Sequence, residues 1–307
     1  MIQERTMMAK KYSDLKLRIH SGLIGIPLLI GLIYWNEWSY LALFAVIMMC
    51  TLVEFYGLIQ HKINTQALPF WGIANALLLY TSTFMYNQMM IPGVYILAGA
   101  IPPLLSCYVI VLYSKQDRAP FRSIAYTLLG IIYIGLPFSL LHFVTLDAYT
   151  FHPEVMLGIL FIIWGNDAGA YFVGLLLGKH KLFKRISPKK TWEGSIGGSV
   201  IGLVVSSVIA HYYVHWNVIH WIIVGIITAF GSIYGDLVES VLKRSLGVKD
   251  TSKIIPGHGG FLDRFDSLLF VVPLVVAFSL LDREIHFTQS IAEKLQGVLT
   301  AIVTHVE

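Results

Sequence analysis

The stretch "GFLDRFDSLLFVVPLVVAFSLL", Gly260 to Leu281, sets a length problem whose solution decides the fold. Its uninterrupted apolar part, "SLLFVVPLVVAFSLL", holds only 15 residues, whereas a helix crossing the hydrocarbon core needs about 20. A span here must begin near Gly260, which places Asp263, Arg264 and Asp266 in its first turns rather than in a loop. There Asp263 and Asp266 share a face at i,i+3, and the positive end of the helix dipole favours acids. Capping of a membrane-buried terminus is the plainer reading of either acid alone.

Outward from this segment the rest of the chain is also apolar. Of 307 residues 56% are hydrophobic and 13% charged, with mean hydropathy +0.70, against roughly 25% charged in soluble domains. This composition excludes an ordinary soluble domain and identifies an integral membrane protein. Cys50 and Cys107 lie in apolar runs without metal-ligand or CxxC spacing, so neither a zinc site nor a disulfide framework is indicated. The N-terminal basic-then-apolar segment lacks a small-residue cleavage site and is read as a retained first span.

Windows of spanning length fall near residues 19–35, 38–60, 69–87, 92–113, 123–145, 155–178, 194–214, 218–242 and 260–281. With the N-terminus inside, 20 of the 22 Lys and Arg residues lie on the cytoplasmic side and the four outer loops contain none, as the positive-inside rule requires. The expected fold is all-α and polytopic, with about nine transmembrane helices, the N-terminus cytoplasmic and the C-terminus on the opposite side. Residues 1–150 hold about five spans. Residues 151–282 hold four, with cytoplasmic loops 179–193 and 243–260, and form the catalytic region. Residues 283–307 form an amphipathic tail whose apolar residues, from Ile291 to Ile302, suit a helix on the outer membrane surface.

A buried carboxylate costs roughly 2.5 to 3.5 kcal/mol on insertion scales and asks for a partner, water or an ion. The first half contains one such acid, Glu54; the second half contains several. Asp236, Glu239, Ser240 and Lys243 recur at i, i+3, i+4 and i+7 on one helical face. An acid-to-lysine ladder accounts for Glu239 with Lys243 but leaves Asp236 unpaired. Asp167, Tyr171, Gly174 and Gly178 share another face, small enough for a helix or a ligand to approach closely. "GLLLGK" is not a phosphate-cradling P-loop, because the gap is one residue short and His180 replaces the hydroxyl. In "SPKKT", Ser187, Lys189, Lys190 and Thr191 supply donors suited to phosphate, with N-capping as the competing role of Thr191. Lys181, Lys184 and Arg185 read as topology signals or contacts to anionic lipid. Clustered carboxylates repel one another unless a cation holds them, and oxygen donors beside phosphate-binding bases point to Mg²⁺ and to phosphoryl or nucleotidyl transfer.

Ser240, Lys243, Arg244, Lys249, Asp250, Pro256, Gly257, His258, Gly259, Gly260, Phe261, Asp263, Arg264 and Asp266 together form a pattern that closely resembles the signature of phosphatidate cytidylyltransferases. "DAGAYFVGLLLGK" and "SPKKTWEGSIGG" are similar to that family's upstream motifs, so the resemblance covers about the second half of the chain. It implies Mg²⁺-dependent transfer of CMP from CTP to phosphatidate in phospholipid synthesis, at the cytoplasmic face of a bacterial inner membrane. It assigns metal ligation to Asp236, Asp263 and Asp266, with Asp167 as a weaker candidate. Lys243, Arg244, Asp263, Arg264 and Asp266 take catalytic roles. Ser187, Lys189, Lys190, Thr191, Ser240, Lys249, His258, Gly259 and Gly260 bind substrate, His258 being equally readable as a hydrogen-bonded turn residue. CTP, phosphatidate and membrane lipid are the expected partners, with no nucleic acid and a homodimer left open. A CTP-dependent polyprenol or lipid-alcohol kinase is the nearest rival. An ion-coupled transporter would predict inverted repeats and a midplane site, whereas these charges lie toward one side.

Overall fold

A computed structural model of the chain describes residues 22–63, 65–113, 119–147, 150–213, 216–252 and 259–306, with side chains as far as residue 284. Each apolar window coincides with a helix. In chain order these are α1 (Gly22–Trp35), α2 (Glu37–Ile63), α3 (Pro69–Asn87), α4 (Val94–Leu112) and α5 (Pro120–Gly130), which passes through a π turn (Ile131–Gly135) into α6 (Leu136–Leu140) and α7 (His142–Thr145). Then come α8 (Pro153–Leu177), α9 (Trp192–Tyr212), α10 (Val218–Ser245) and α11 (Leu262–Val306). Two small antiparallel hairpins complete the described structure: β1 (Leu146–Asp147) with β2 (Thr150–Phe151), and β3 (Lys181–Phe183) with β4 (Ser187–Thr191).

Seven of the helical segments are long and apolar enough to cross a membrane: α2, α4, the composite Pro120–Thr145, α8, α9, α10 and Leu262–Glu284 of α11. The protein is thus a mostly helical, polytopic membrane protein. Helix α3 falls below that measure because Asn75, Thr81, Ser82, Thr83 and Asn87 dilute its apolar content, and the described part of α1 is short. Helix α11 begins at Leu262, as the span-length argument required, and runs without a break through the tail.

The helices exist because apolar runs of this length can satisfy their backbone groups in lipid only by helix formation. Their outward faces carry Leu175, Leu176, Val200, Val204, Phe230 and Leu281, all exposed, as suits a lipid solvent. Inside, one continuous core runs from Tyr40, Phe44 and Tyr56 of the first half to Trp221, Leu262 and Val271 of the second. Tyr56 ties this core to the composite helix by donating its hydroxyl to the Thr127 carbonyl at 2.7 Å. Helix α10 lies against both α9 and α11, and the end of α10 that leads toward α11 carries the polar residues.

The loop 179–193 contains the β3–β4 hairpin, pairing Lys181 with Thr191 and Phe183 with Ser187. Its neck is closed by Glu193, which accepts from the Lys179 and His180 amides at 3.1 Å and pairs with His180 Nδ1 at 2.5 Å. The first turn of α9 is capped by Thr191, whose hydroxyl accepts from the Gly194 amide at 3.2 Å.

Candidate active site

Helix α10 turns Asp236, Glu239, Ser240 and Lys243 to one side, and that side meets the first turns of α11. Close approach is possible because position 235 is glycine: a Cβ there would lie 2.7 Å from the Asp266 carbonyl oxygen and 3.0 Å from Ser267 Cα, both backbone atoms of α11. The result is a group of three acids, Asp236, Glu239 and Asp266, whose ligand oxygens all fall within 4.8 Å of one another. Asp266 Oδ1 also accepts from the Ser267 amide at 2.6 Å.

Three carboxylates at that spacing repel one another strongly, and two ammonium groups offset them. Lys190, reaching from β4, places Nζ 2.5 Å from Asp236 Oδ2. Lys243 Nζ stands 2.5 Å from Glu239 Oε2 and 2.8 Å from Asp263 Oδ1. Ser240 donates more weakly to Asp236 Oδ1, at 3.3 Å. Glu239 is fully buried, and its Oε1 has no hydrogen-bond partner among the described residues.

Asp263 lies beside this group with its oxygens already engaged. Oδ1 receives Lys243, and Oδ2 is surrounded by the Gly260 amide at 3.0 Å, the Thr251 amide at 3.2 Å and the Thr251 hydroxyl at 2.9 Å. Asp167, exposed on α8, interacts electrostatically with Lys190, Asp236 and Arg264. It is close to the acids without joining their inner group.

Residues 16–281 match the model of the cytidylyltransferase family. The chain belongs to that family. Its relatives include the phosphatidate cytidylyltransferase of Staphylococcus saprophyticus, 41% identical over 166 residues, and those of Staphylococcus haemolyticus and Staphylococcus aureus strain COL, each 40% identical over 163 residues. Each match covers 52% of this chain and 61% of the relative, so the chain spans about three fifths of the length of the curated relatives it matches.

The remaining residues singled out from sequence occupy varied positions. Lys249 and Arg264 are exposed, as is Lys189 on β4, while Ser187 is half-buried. Arg244 braces chain rather than standing free, donating to the carbonyls of Ile186 and Val248 at 3.4 Å. Thr191 is buried as the α9 cap, and Gly174 and Gly178 lie against it, so that face of α8 receives the end of the hairpin. Gly259 has φ +89°, in the left-handed region that favours glycine. Gly260 passes so close to Glu54 and Thr251 that a Cβ would overlap both. His258 lies outside the described residues, with Lys253, Pro256 and Gly257.

Three participants were not visible as such in the sequence. Thr251 is an unremarkable loop hydroxyl until folding sets it between two carboxylates. Glu54 was legible as a costly buried acid, but its partners come from the other half of the chain. Tyr133 sits in "GIIYIGLP" with no charge nearby in sequence. Its buried hydroxyl has no hydrogen-bond partner among the described residues and lies within electrostatic reach of Glu239, Asp266 and Asp236.

Proposed function

We propose that this chain is a phosphatidate cytidylyltransferase, moving CMP from CTP to phosphatidate to give CDP-diacylglycerol and pyrophosphate. The observation that carries the reading is the group of Asp236, Glu239 and Asp266 flanked by Lys190 and Lys243, at the end of membrane helices where a lipid phosphate and a soluble nucleotide can meet. Family membership and the names of the staphylococcal relatives support it.

The donor set suits a hard divalent cation such as Mg²⁺: all oxygen, from Asp236, Glu239 and Asp266, with one buried Glu239 oxygen unpartnered. When bound, such an ion supplies charge neutralisation to the triphosphate. The protein's own part is to place and neutralise. Lys190 and Lys243 hold positive charge beside the acids; Lys249 and Arg264 extend it outward, and Lys189 adds a further cation on β4. A non-bridging oxygen of the phosphatidate phosphate forms a bond to the α-phosphorus of CTP as the bond from that phosphorus to the α,β-bridging oxygen breaks. The electron pair leaves with pyrophosphate. No covalent enzyme intermediate is required, and positioning with charge neutralisation supplies most of the catalysis.

The distribution of Lys and Arg supports a nine-span arrangement in a bacterial inner membrane, with the N-terminus and the site facing the cytoplasm and the C-terminus outside. The deciding assay gives the purified protein phosphatidate and CTP labelled at either the α- or the γ-phosphate, with and without Mg²⁺. Lipid labelled only from the α-position, with pyrophosphate released, is the expected result. Label from the γ-position with release of CDP would identify a lipid kinase, and undiminished transfer in excess chelator would overturn the metal assignment.

A further inference from the structure

Glu54 is buried in α2, 5% exposed, in a helix otherwise remote in sequence from the site. A carboxylate at such a position is costly unless partnered, and both of its oxygens are partnered by the segment that leads into α11. Oε1 accepts from the Thr251 hydroxyl at 2.8 Å and Oε2 from the Leu262 amide at 3.0 Å. Gly260 passes against the same carboxylate with no room for a side chain.

The contacts continue beyond Glu54. The Thr251 hydroxyl is 2.9 Å from Asp263 Oδ2, Asp263 Oδ1 meets Lys243, and Lys243 meets Glu239 of the acid group. One polar path therefore leads from α2 to the carboxylates of α10 and α11.

We propose that Glu54 is a positioning residue for this site. By binding Thr251 on one side and Leu262 on the other, it fixes where Asp263 and Lys243 stand. It acts as a hydrogen-bonding clasp. Glutamine can fill the role, since its oxygen can accept from Leu262 while its amide group donates to Thr251, which then donates to Asp263. Leucine cannot, although it is better tolerated in a membrane span than glutamate.

The test has two arms, of which only the second rests on the proposed function. The first is amide hydrogen exchange of the full-length protein without substrate. Glu54→Leu is expected to speed exchange at the Thr251, Gly260 and Leu262 amides while the remainder of α2 keeps its protection, and Glu54→Gln to leave those amides protected. In the second arm, Glu54→Leu lowers kcat/KM for CTP about 10- to 100-fold, the scale of lost hydrogen bonds to a charged group. The KM for phosphatidate is expected to stay unchanged, and Glu54→Gln to remain near wild type. Thr251→Val should reproduce the loss and add little to Glu54→Leu, because the two residues act as one unit; it also serves if Glu54→Leu fails to fold.

Unchanged exchange in Glu54→Leu overturns the clasp. So does a loss in Glu54→Gln as deep as in Glu54→Leu, which would mean that the charge itself is used. If the wild-type protein transfers no CMP, the proposed function fails, and the exchange arm still decides the role of Glu54.

Discussion

Lys243 stands between Glu239 and Asp263, its side chain 13% exposed against 0% for Glu239. Removing one member of a buried ion pair typically costs about 3–5 kcal/mol, because the other charge is left uncompensated. Lys243→Met is expected to lower thermal stability on that scale, and the added change Glu239→Gln to recover much of it; a melting comparison of the two variants checks both. At Asp266 the expected effect is on chemistry instead. Asp266→Asn should reduce the proposed CMP transfer by more than the roughly 10–100-fold typical of an outer-shell partner, measured as kcat/KM in the same Mg²⁺-containing assay. The periodicity of α10 made the face shared by Asp236, Glu239 and Lys243 readable without a structure. The pairing of Asp236 with Lys190 was not, since nothing local brings a hairpin strand to a distant helix. The same physical reason hid Thr251 and Tyr133: their relevance lies in which groups face them, and neither is charged.

Among the elements, the contact between α10 and α11 beside the acids has little slack. A Cβ at position 235 would lie only 2.7 and 3.0 Å from backbone atoms of α11, and backbone cannot swing aside as a long side chain can. Gly235→Ala is therefore expected to push the helices apart beside Asp236 and Asp266. Overpacking of this kind typically costs about 1–3 kcal/mol. Transfer activity should fall further than the melting temperature implies, which parallel activity and melting measurements will show. The start of helix α11 was legible from its length requirement alone, because a 15-residue apolar run cannot cross by itself, whereas its unbroken continuation through the tail was not. The β3–β4 hairpin was not: its strands have 3 and 5 residues, too few for a two-residue period to emerge, and Pro188 within β4 argues against a strand on sequence grounds.

For the molecule as a whole, hydropathy made the fold readable to the level of helices and their approximate limits. It left unread how the first half serves the second. The core supplies part of that answer, with Phe138 of α6 meeting Phe265 of α11 at 6.2 Å between ring centroids, and Glu54 supplies a polar link. The topology proposed from the basic residues has a direct check. A cysteine introduced at Lys181 should react with a membrane-impermeant maleimide only from the cytoplasmic side, and one at Met90 only from the other; the reverse pattern would invert the arrangement. The π turn at Ile131–Gly135 carries a separate consequence, one of phase. A π turn holds one residue more than the α-helical path it replaces, and each α-helical residue turns the chain by about 100°. Deleting the exposed Ile132 would restore that path and let the helix run on with both flanks in nearly their present phase, where the same deletion in a regular α-helix would rotate one flank by about that angle relative to the other. Helix content and the contact of Phe138 with Phe265 should then survive, while Tyr133, inside the turn, loses its place beside the acids, so that the surplus residue re-aims one hydroxyl without turning the rest of the helix.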